Sequence, residues 1–152
     1  MAKLPAQKTR SGVRESALMI SAAQVISRAG EECVMPLLTL DEFFDGNVNE
    51  ESIAPNQWGY GRPPLDVLAE RLRAIERRED VAWVRVQPHP ETLDMEELAG
   101  EAVAICTTAD EAACTAWIEG FEADGVIPGL VDVYRDIPEA PDGTTVWSVV
   151  WD

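Results

Sequence analysis

The sequence predicts an α+β fold, in which a small antiparallel or mixed sheet of about four strands carries two to three helices packed on one face. Two observations lead to this prediction. Apolar residues recur with helical spacing in some segments and form short runs rich in valine and tryptophan in others. The predicted order is helix, short helix, helix, strand, strand, helix, strand, strand. This order lacks the strict alternation of a parallel β-α-β fold.

Three helix signals follow the N-terminal region. Pro63 and Pro64 suit a first helical turn, and a leucine-rich stripe behind them predicts a helix over residues 64–79. Two capping boxes, each a threonine followed three residues later by a glutamate, open further helices at residues 39 and 108. The first of these is short and the second extends to about residue 123. A single helical turn is also expected at residues 94–98.

Four short segments carry strand signals. They cover residues 81–86, 102–107, 130–134 and 144–151, and each is rich in β-branched or aromatic side chains. Residues 136–143 contain two prolines and an Asp-Gly pair, which is typical of a loop or hairpin connection.

The N-terminal residues differ in charge from the rest of the chain. Residues 1–10 form a basic tail, and apolar positions that recur through residues 11–29 predict a helix ended by Gly30. We therefore expect two parts. Residues 1–34 are a basic N-terminal tail and helix, either appended or an upstream extension of the reading frame, and residues 35–152 are a single α+β domain.

Negative charge is concentrated in the second half of the chain. The formal net charge is −16, and the 49 residues between Arg85 and Arg135 contain no lysine or arginine. This acidic block, residues 86–134, carries eleven carboxylates, namely Glu91, Asp94, Glu96, Glu97, Glu101, Asp110, Glu111, Glu119, Glu122, Asp124 and Asp132. So many charges cannot be buried unpaired, and they must project a negative field. The pattern disfavours nucleic acid and anionic membranes as partners, and it favours a basic protein, a cationic ligand or solubility alone.

Cysteine spacing and hydropathy predict a cytoplasmic protein. Cys33, Cys106 and Cys114 are an odd number without C-x-x-C spacing, so they indicate neither a disulfide framework nor a zinc site. No apolar run approaches the roughly 20 residues that span a bilayer. The N-terminus also lacks the apolar core of a signal peptide.

Two acidic patches are the predicted binding residues. The first combines carboxylates with aromatic residues of a loop rich in glycine and proline, and the second follows the first predicted strand. They comprise Asp45, Glu50, Glu51, Trp58 and Tyr60 in the first patch and Glu91, Asp94, Glu96 and Glu97 in the second. Aromatic rings at the edge of a charged surface are typical of protein-binding hot spots, although the same rings could pack against the domain's own helix.

No catalytic residue, metal site or cofactor is predicted. His89 is the only histidine, and the prolines on either side of it supply no activating partner. Neither residues 41–47 nor residues 94–97 have the spacing of a calcium loop. The Gly59-x-Gly61 pair lacks a preceding strand and a third glycine, so it is not a dinucleotide-binding fingerprint.

Three segments carry a resemblance to known proteins. They are residues 36–47, which end in Asp45-Gly46-Asn47, the helix over residues 68–80 that runs into a strand, and the C-terminal residues 146–152. Over about residues 35–152 the chain resembles a group of small acidic bacterial proteins of unknown function. In size and charge it is also loosely similar to immunity proteins of bacterial toxin systems, which implies a toxin or nuclease as the partner. Neither resemblance implies a catalytic motif, and the basic N-terminal segment departs from the pattern.

Three functions from different classes fit these observations. The first is an acidic protein-interaction domain that binds and neutralises a basic protein. The second is a small enzyme that uses carboxylates and His89 on a cationic or metal-bound substrate, which requires His89 to lie in a concave pocket. The third is a DNA-mimic inhibitor, which competition with duplex DNA for one basic protein would identify.

Overall fold

The computed structural model describes residues 19–151 and contains five α-helices and four β-strands in that range. In chain order these are α1 (Ala22–Ala29), α2 (Leu40–Phe44), α3 (Leu65–Glu76), β1 (Val81–Pro88), α4 (Glu91–Met95), β2 (Gly100–Thr107), α5 (Glu111–Trp117), β3 (Gly125–Pro128) and β4 (Thr145–Val150). Two 3₁₀ turns, Glu50–Ser52 and Pro55–Gln57, lie between α2 and α3. The predicted α+β class is confirmed.

The four strands form one antiparallel sheet in the order β1-β2-β4-β3. Strand β2 is central, and every residue from Ala102 to Thr107 is inaccessible to solvent. On one face of the sheet, Val86 and Ile105 join Phe43 and Leu72 in the buried core. None of the helices within residues 19–151 has the length and hydropathy that crossing a bilayer requires.

The opposite face of the sheet is covered by a loop. Alternation along the strands and the antiparallel register place Trp83, Gln87 and Ser148 on this face. The hydrogen bonds run from Trp83 Nε1 to the Glu139 carbonyl, from the Val131 N–H to Gln87 Oε1, and from Ser148 Oγ to the Gly129 carbonyl. The strand predicted over residues 130–134 is therefore wrong, because this segment lies in a loop whose backbone is hydrogen-bonded at Val131 by a side chain of the sheet.

The helix boundaries correct several details of the prediction. The capping box of Thr39 and Glu42 is confirmed, with both reciprocal hydrogen bonds present. The second box is wrong, because Asp110 caps α5 by accepting a hydrogen bond from the Ala113 N–H at 2.9 Å, and α5 ends at Trp117. The turn expected at residues 94–98 instead forms earlier, as α4.

Helix α1 packs into the same core as the sheet. It begins after the N-cap Ser21, so the helix predicted over residues 11–29 is wrong at residues 19–21, and its earlier part lies outside the described residues. Val25 and Ala29 are fully buried, and Arg28 bridges Glu42 and Asp136 at 3.0 and 2.9 Å. The domain boundary at residue 35 stays a prediction.

Candidate binding site

A cavity of about 490 Å³ opens beside the end of strand β1, and charged side chains line it. Its walls include Glu51, His89, Glu91, Glu101 and Trp151. Its volume lies within the range of ordinary ligand pockets. The cavity therefore brings together one carboxylate of the first predicted patch, one of the second, and the only histidine of the chain.

Backbone contacts around Gly100 explain why these side chains meet. Gly100 pairs with Pro88 at the end of the β1–β2 ladder, which sets Glu101 beside His89. Gly100 also forms an isolated bridge with Ile53, and this contact carries the Glu51 segment to the same place. A Cβ atom at position 100 would lie 3.2 Å from side-chain atoms of Ile53, Phe43 and Val86, so the close approach depends on glycine.

The turn that follows β1 is closed by its own hydrogen bonds. The backbone N–H of His89 donates to the Ala99 carbonyl at 2.7 Å. Thr92 Oγ1 accepts from the Ala99 N–H at 3.2 Å and donates to the Ala99 carbonyl at 3.3 Å. These bonds fix His89 and α4 relative to the start of β2.

The hydrogen bonds of His89 define which ring nitrogen carries the proton. The backbone N–H of Glu91 donates to His89 Nδ1 at 3.0 Å, so Nδ1 must be the acceptor and Nε2 carries the proton of the neutral ring. Nε2 lies 4.0 Å from Glu101 Oε1, and Nδ1 lies 3.9 Å from Glu91 Oε2. The neutral imidazole therefore offers a donor, and its lone pair is already engaged.

An aromatic ring completes the cavity. Trp151 is half-buried, and its Nε1 donates to the Phe121 carbonyl at 3.0 Å, which holds the indole in place. A tryptophan ring beside carboxylates provides both a π face and charge-assisted acceptors, the two features that bind ammonium and guanidinium groups.

The carboxylates of the first predicted patch differ in whether they form internal ion pairs. In the first patch, Asp45 accepts from Arg73 at 2.8 Å and is 19% exposed, and Glu50 pairs with the buried Arg62. Within the same patch, Glu51 is exposed in the cavity. Asp45 and Glu50 therefore stabilise the fold through internal ion pairs.

The aromatic residues of the first patch also separate. The Trp58 ring lies under the Arg62 guanidinium, 4.6 Å from its centroid, and is 37% exposed. Tyr60 is 81% exposed and borders a second, more open groove. In the second patch, Glu91 faces the cavity, and Asp94, Glu96 and Glu97 are exposed on α4 and the turn behind it.

The described arginines are used inside the fold and form no ion pair with the acidic block. Their carboxylate partners are Glu42 and Asp136 for Arg28, Glu50 for Arg62, Asp41 and Asp45 for Arg73, Glu70 for Arg77, Asp80 for Arg78, Glu76 for Arg85 and Glu32 for Arg135. Arg71 donates instead to the carbonyls of Glu119 and Trp117. Every one of these carboxylates lies outside residues 86–134. Within residues 19–151, no arginine reaches a carboxylate of the acidic block within 4.0 Å.

The negative charge of the acidic block also acts on a buried tyrosine hydroxyl. Tyr134 donates its hydroxyl hydrogen to the Pro88 carbonyl at 3.1 Å, beneath the cavity-forming turn. Burial raises the pKa of Tyr134 above its ordinary value, and the carboxylates of Glu101 and Asp132 raise it further. The phenol therefore stays neutral and serves as a hydrogen-bond donor.

Two of the charged or aromatic residues that line the cavity, Glu101 and Trp151, are not among the predicted site residues. Glu101 was counted only as one of the eleven acids, and Trp151 was assigned only to a predicted strand. Their place in the site depends on the register of β1 with β2, which a single sequence does not specify. In residues 19–151, no group of three or more histidine, cysteine, aspartate or glutamate side chains is arranged to hold a metal ion.

Comparison with known proteins gives a family and no described relative. A family model with the description "Uncharacterized protein YfbO family" matches residues 16–149. No curated protein and no solved structure matches the chain. The expected likeness to an uncharacterised family is confirmed, and the likeness to immunity proteins stays a prediction.

Proposed function

The chain belongs to the uncharacterised YfbO family, and we propose that it is an acidic, immunity-protein-like domain that binds and neutralises a basic protein. The observation that carries this proposal is the state of the acidic block. None of its eleven carboxylates meets an arginine among residues 19–151, because the arginines there pair with other acids or bind carbonyls. A partner that brings its own lysines and arginines would supply counter-charges that residues 19–151 do not provide.

Long-range attraction is the first physical advantage of such a surface. Clustered charge of one sign raises the association rate of an oppositely charged partner by about 10-fold to 1,000-fold at low salt. Exposed carboxylates contribute to this rate without first breaking an internal ion pair. Asp94, Glu96 and Glu97 meet that condition, since all three are exposed and have no arginine neighbour in the described part of the chain.

Short-range anchoring would come from the cavity. A lysine or arginine side chain of the partner could enter between Glu91 and Glu101 and lie against the Trp151 ring. His89 Nε2 lies 4.0 Å from Glu101 Oε1 and would form part of the polar wall beside the bound cation. Such an anchor buries one cation against several acceptors, which is typical of interface hot spots.

The hydrogen bonding of His89 favours binding over catalysis. The cavity does contain His89, as the enzyme hypothesis requires. A general base needs a free lone pair directed at the substrate, but Nδ1 already accepts the Glu91 N–H at 3.0 Å. The two nearby carboxylates lie 3.9 and 4.0 Å from the ring nitrogens, beyond hydrogen-bond distance. The binding function is therefore the better supported one.

The test is the dependence of association rate on salt. The full chain serves as bait in lysate of its native host, and a captured basic protein is purified and its association rate is measured from about 0.1 M to about 1 M NaCl. We expect the rate constant to fall steeply as salt rises, and any toxic or nuclease activity of the partner to be lost on mixing. A rate constant that does not change with ionic strength would refute the proposal.

A matched pair of variants locates the effect. The triple variant Asp94→Asn, Glu96→Gln, Glu97→Gln removes three exposed charges of the acidic block. The control Asp66→Asn, Glu79→Gln, Asp142→Asn removes three exposed charges outside that block. We expect only the first triple to lower the association rate substantially. Duplex DNA that displaces the chain from the partner would instead identify the DNA-mimic function.

A further inference from the structure

A second concavity, the Tyr60 groove, lies between the loop before α3 and the segment from α5 to β3. Its volume is about 800 Å³, and its lining includes the polar Gln57 and Thr115. Ala112, Ala116 and Ile118 form an apolar part of this lining, which we call the floor. Its rim carries Glu119, Glu122 and Asp124. The groove therefore combines an apolar floor with a border of one charge sign.

No carboxylate on the rim of the Tyr60 groove forms an ion pair with an arginine among the described residues. Glu119, Glu122 and Asp124 are exposed, and none lies within 4.0 Å of an arginine described by the structure. The guanidinium of Arg71 is directed at the carbonyls of Glu119 and Trp117, at 2.7 and 3.0 Å. The negative rim is thus complementary to a cationic partner.

Both walls of the Tyr60 groove are held in place by backbone and packing contacts within the fold. On one wall, the Tyr60 N–H donates to the Gln57 carbonyl at 2.9 Å. On the other wall, the Asp124 N–H donates to the Val150 carbonyl at 2.8 Å. A Cβ atom on Gly61 would lie 2.7 Å from Glu122 Cγ, so the two walls touch at this glycine. A preformed groove loses little conformational entropy on binding.

We propose that the Tyr60 groove binds an amphipathic segment of the basic partner. Apolar side chains of that segment would pack on the floor beside Tyr60, which is 81% exposed, and its lysines or arginines would meet the acidic rim. This inference rests on the proposed function and adds the chemistry of the segment that docks. Charge complementarity selects a basic segment, and the apolar floor selects an amphipathic one.

The probe is a synthetic peptide with leucine at helical i, i+3, i+4 and i+7 spacing and lysine elsewhere. A second peptide carries serine in place of leucine and the same number of lysines. Amide NMR titration of the full chain should show shifts at Ala112, Ala116 and Gly120 with the leucine peptide. We expect the serine peptide to bind at least about 10-fold more weakly, because it cannot use the apolar floor.

Two arginine substitutions separate docking from charge. Ala116→Arg fills the groove, whereas Ala74→Arg adds the same charge at another exposed helical alanine, on α3. Ala116→Arg should weaken the leucine peptide at least about 10-fold, and Ala74→Arg less than about 3-fold. Tyr60→Ser, in an exposed loop, should also weaken binding of the leucine peptide. This second variant keeps the test valid if Ala116→Arg perturbs α5.

Three outcomes would overturn the inference. They are equal weakening by the two arginine variants, equal affinity for the two peptides, and chemical shifts confined to α4. Each would indicate attraction by charge alone and would leave the proposed function standing. The proposed function fails separately if the association rate constant with the captured partner does not change with salt concentration.

Discussion

Replacing Arg62 with methionine should destabilise the domain more than any exposed arginine replacement. The Arg62 side chain is fully buried and pairs with Glu50. It also donates to the carbonyls of Ile53 at 2.7 Å and Pro63 at 2.9 Å. Burial lowers the pKa of Arg62, and the hydrogen bond and charge of Glu50 oppose that shift. The Arg62 guanidinium thus holds residues 50–63, the segment that contributes Glu51 and Tyr60, in place.

The magnitude follows from what the substitution leaves behind. Removing one partner of a buried ion pair typically costs about 3–5 kcal/mol. Because the Glu50 side chain is 32% exposed and can regain water, the loss should lie in the lower half of that range. The Glu50 carboxylate would keep its hydrogen bond from the Leu65 N–H at 2.9 Å, but the Ile53 carbonyl would lose its guanidinium donor. With a urea m-value of about 2 kcal/mol/M, the unfolding midpoint should fall by about 2 M.

Urea unfolding followed by tryptophan fluorescence measures this shift. Arg77→Met is the matched control, since Arg77 and Glu70 are 64% and 68% exposed and 3.6 Å apart. Such an exposed pair is worth less than about 1 kcal/mol. Equal midpoints for the Arg62 and Arg77 variants would refute the reasoning. Arg62→Lys should not restore stability, because one ammonium group cannot replace the planar guanidinium fork.

Two further predictions concern a glycine and an ion pair. Gly61→Ala should destabilise the domain by about 1–3 kcal/mol, because its φ of +117° strains an L-residue and the new Cβ meets Glu122 Cγ. Adding Glu122→Ala should recover part of that loss in urea unfolding, and no recovery would contradict the predicted clash. The hydrogen bond from Arg78 lowers the pKa of Asp80 in the folded state below its ordinary value of 3.8. The ionised carboxylate therefore stabilises the fold at pH above 3.8, and this contribution is lost as pH falls through the pKa of the folded state. Asp80→Asn should therefore flatten the acid limb of the stability curve, and parallel curves for variant and wild type would contradict this assignment.

The candidate site was only partly predictable from sequence. The acidic block was visible as composition, and Glu51 and Glu91 were predicted in separate patches. Their meeting in one cavity depends on the contacts of Gly100 with Pro88 and Ile53. No sequence pattern marks such contacts, because strand register is set by packing and turn geometry together.

The sequence also does not show which individual carboxylates form ion pairs. Asp45, Glu50 and Glu51 are acidic residues of the same sequence segment, and nothing in the sequence distinguishes them. In the structure Asp45 and Glu50 pair with arginines, whereas Glu51 forms no ion pair with a described arginine. Ion pairs join residues far apart along the chain, such as Arg28 and Asp136, which are 108 positions apart. Only the folded structure decides which charges neutralise each other.

By itself, the sequence determined the features that arise from neighbouring residues. The helical stripe of α3, the capping box of Thr39 and the long stretch without cations are local or compositional, and they persist in any arrangement of the elements. The tertiary structure alone decided that residues 129–131 bind to Gln87 and Ser148 and do not form a strand. The reason is that a buried amide or hydroxyl must find a hydrogen-bond partner, and that partner is chosen by three-dimensional proximity.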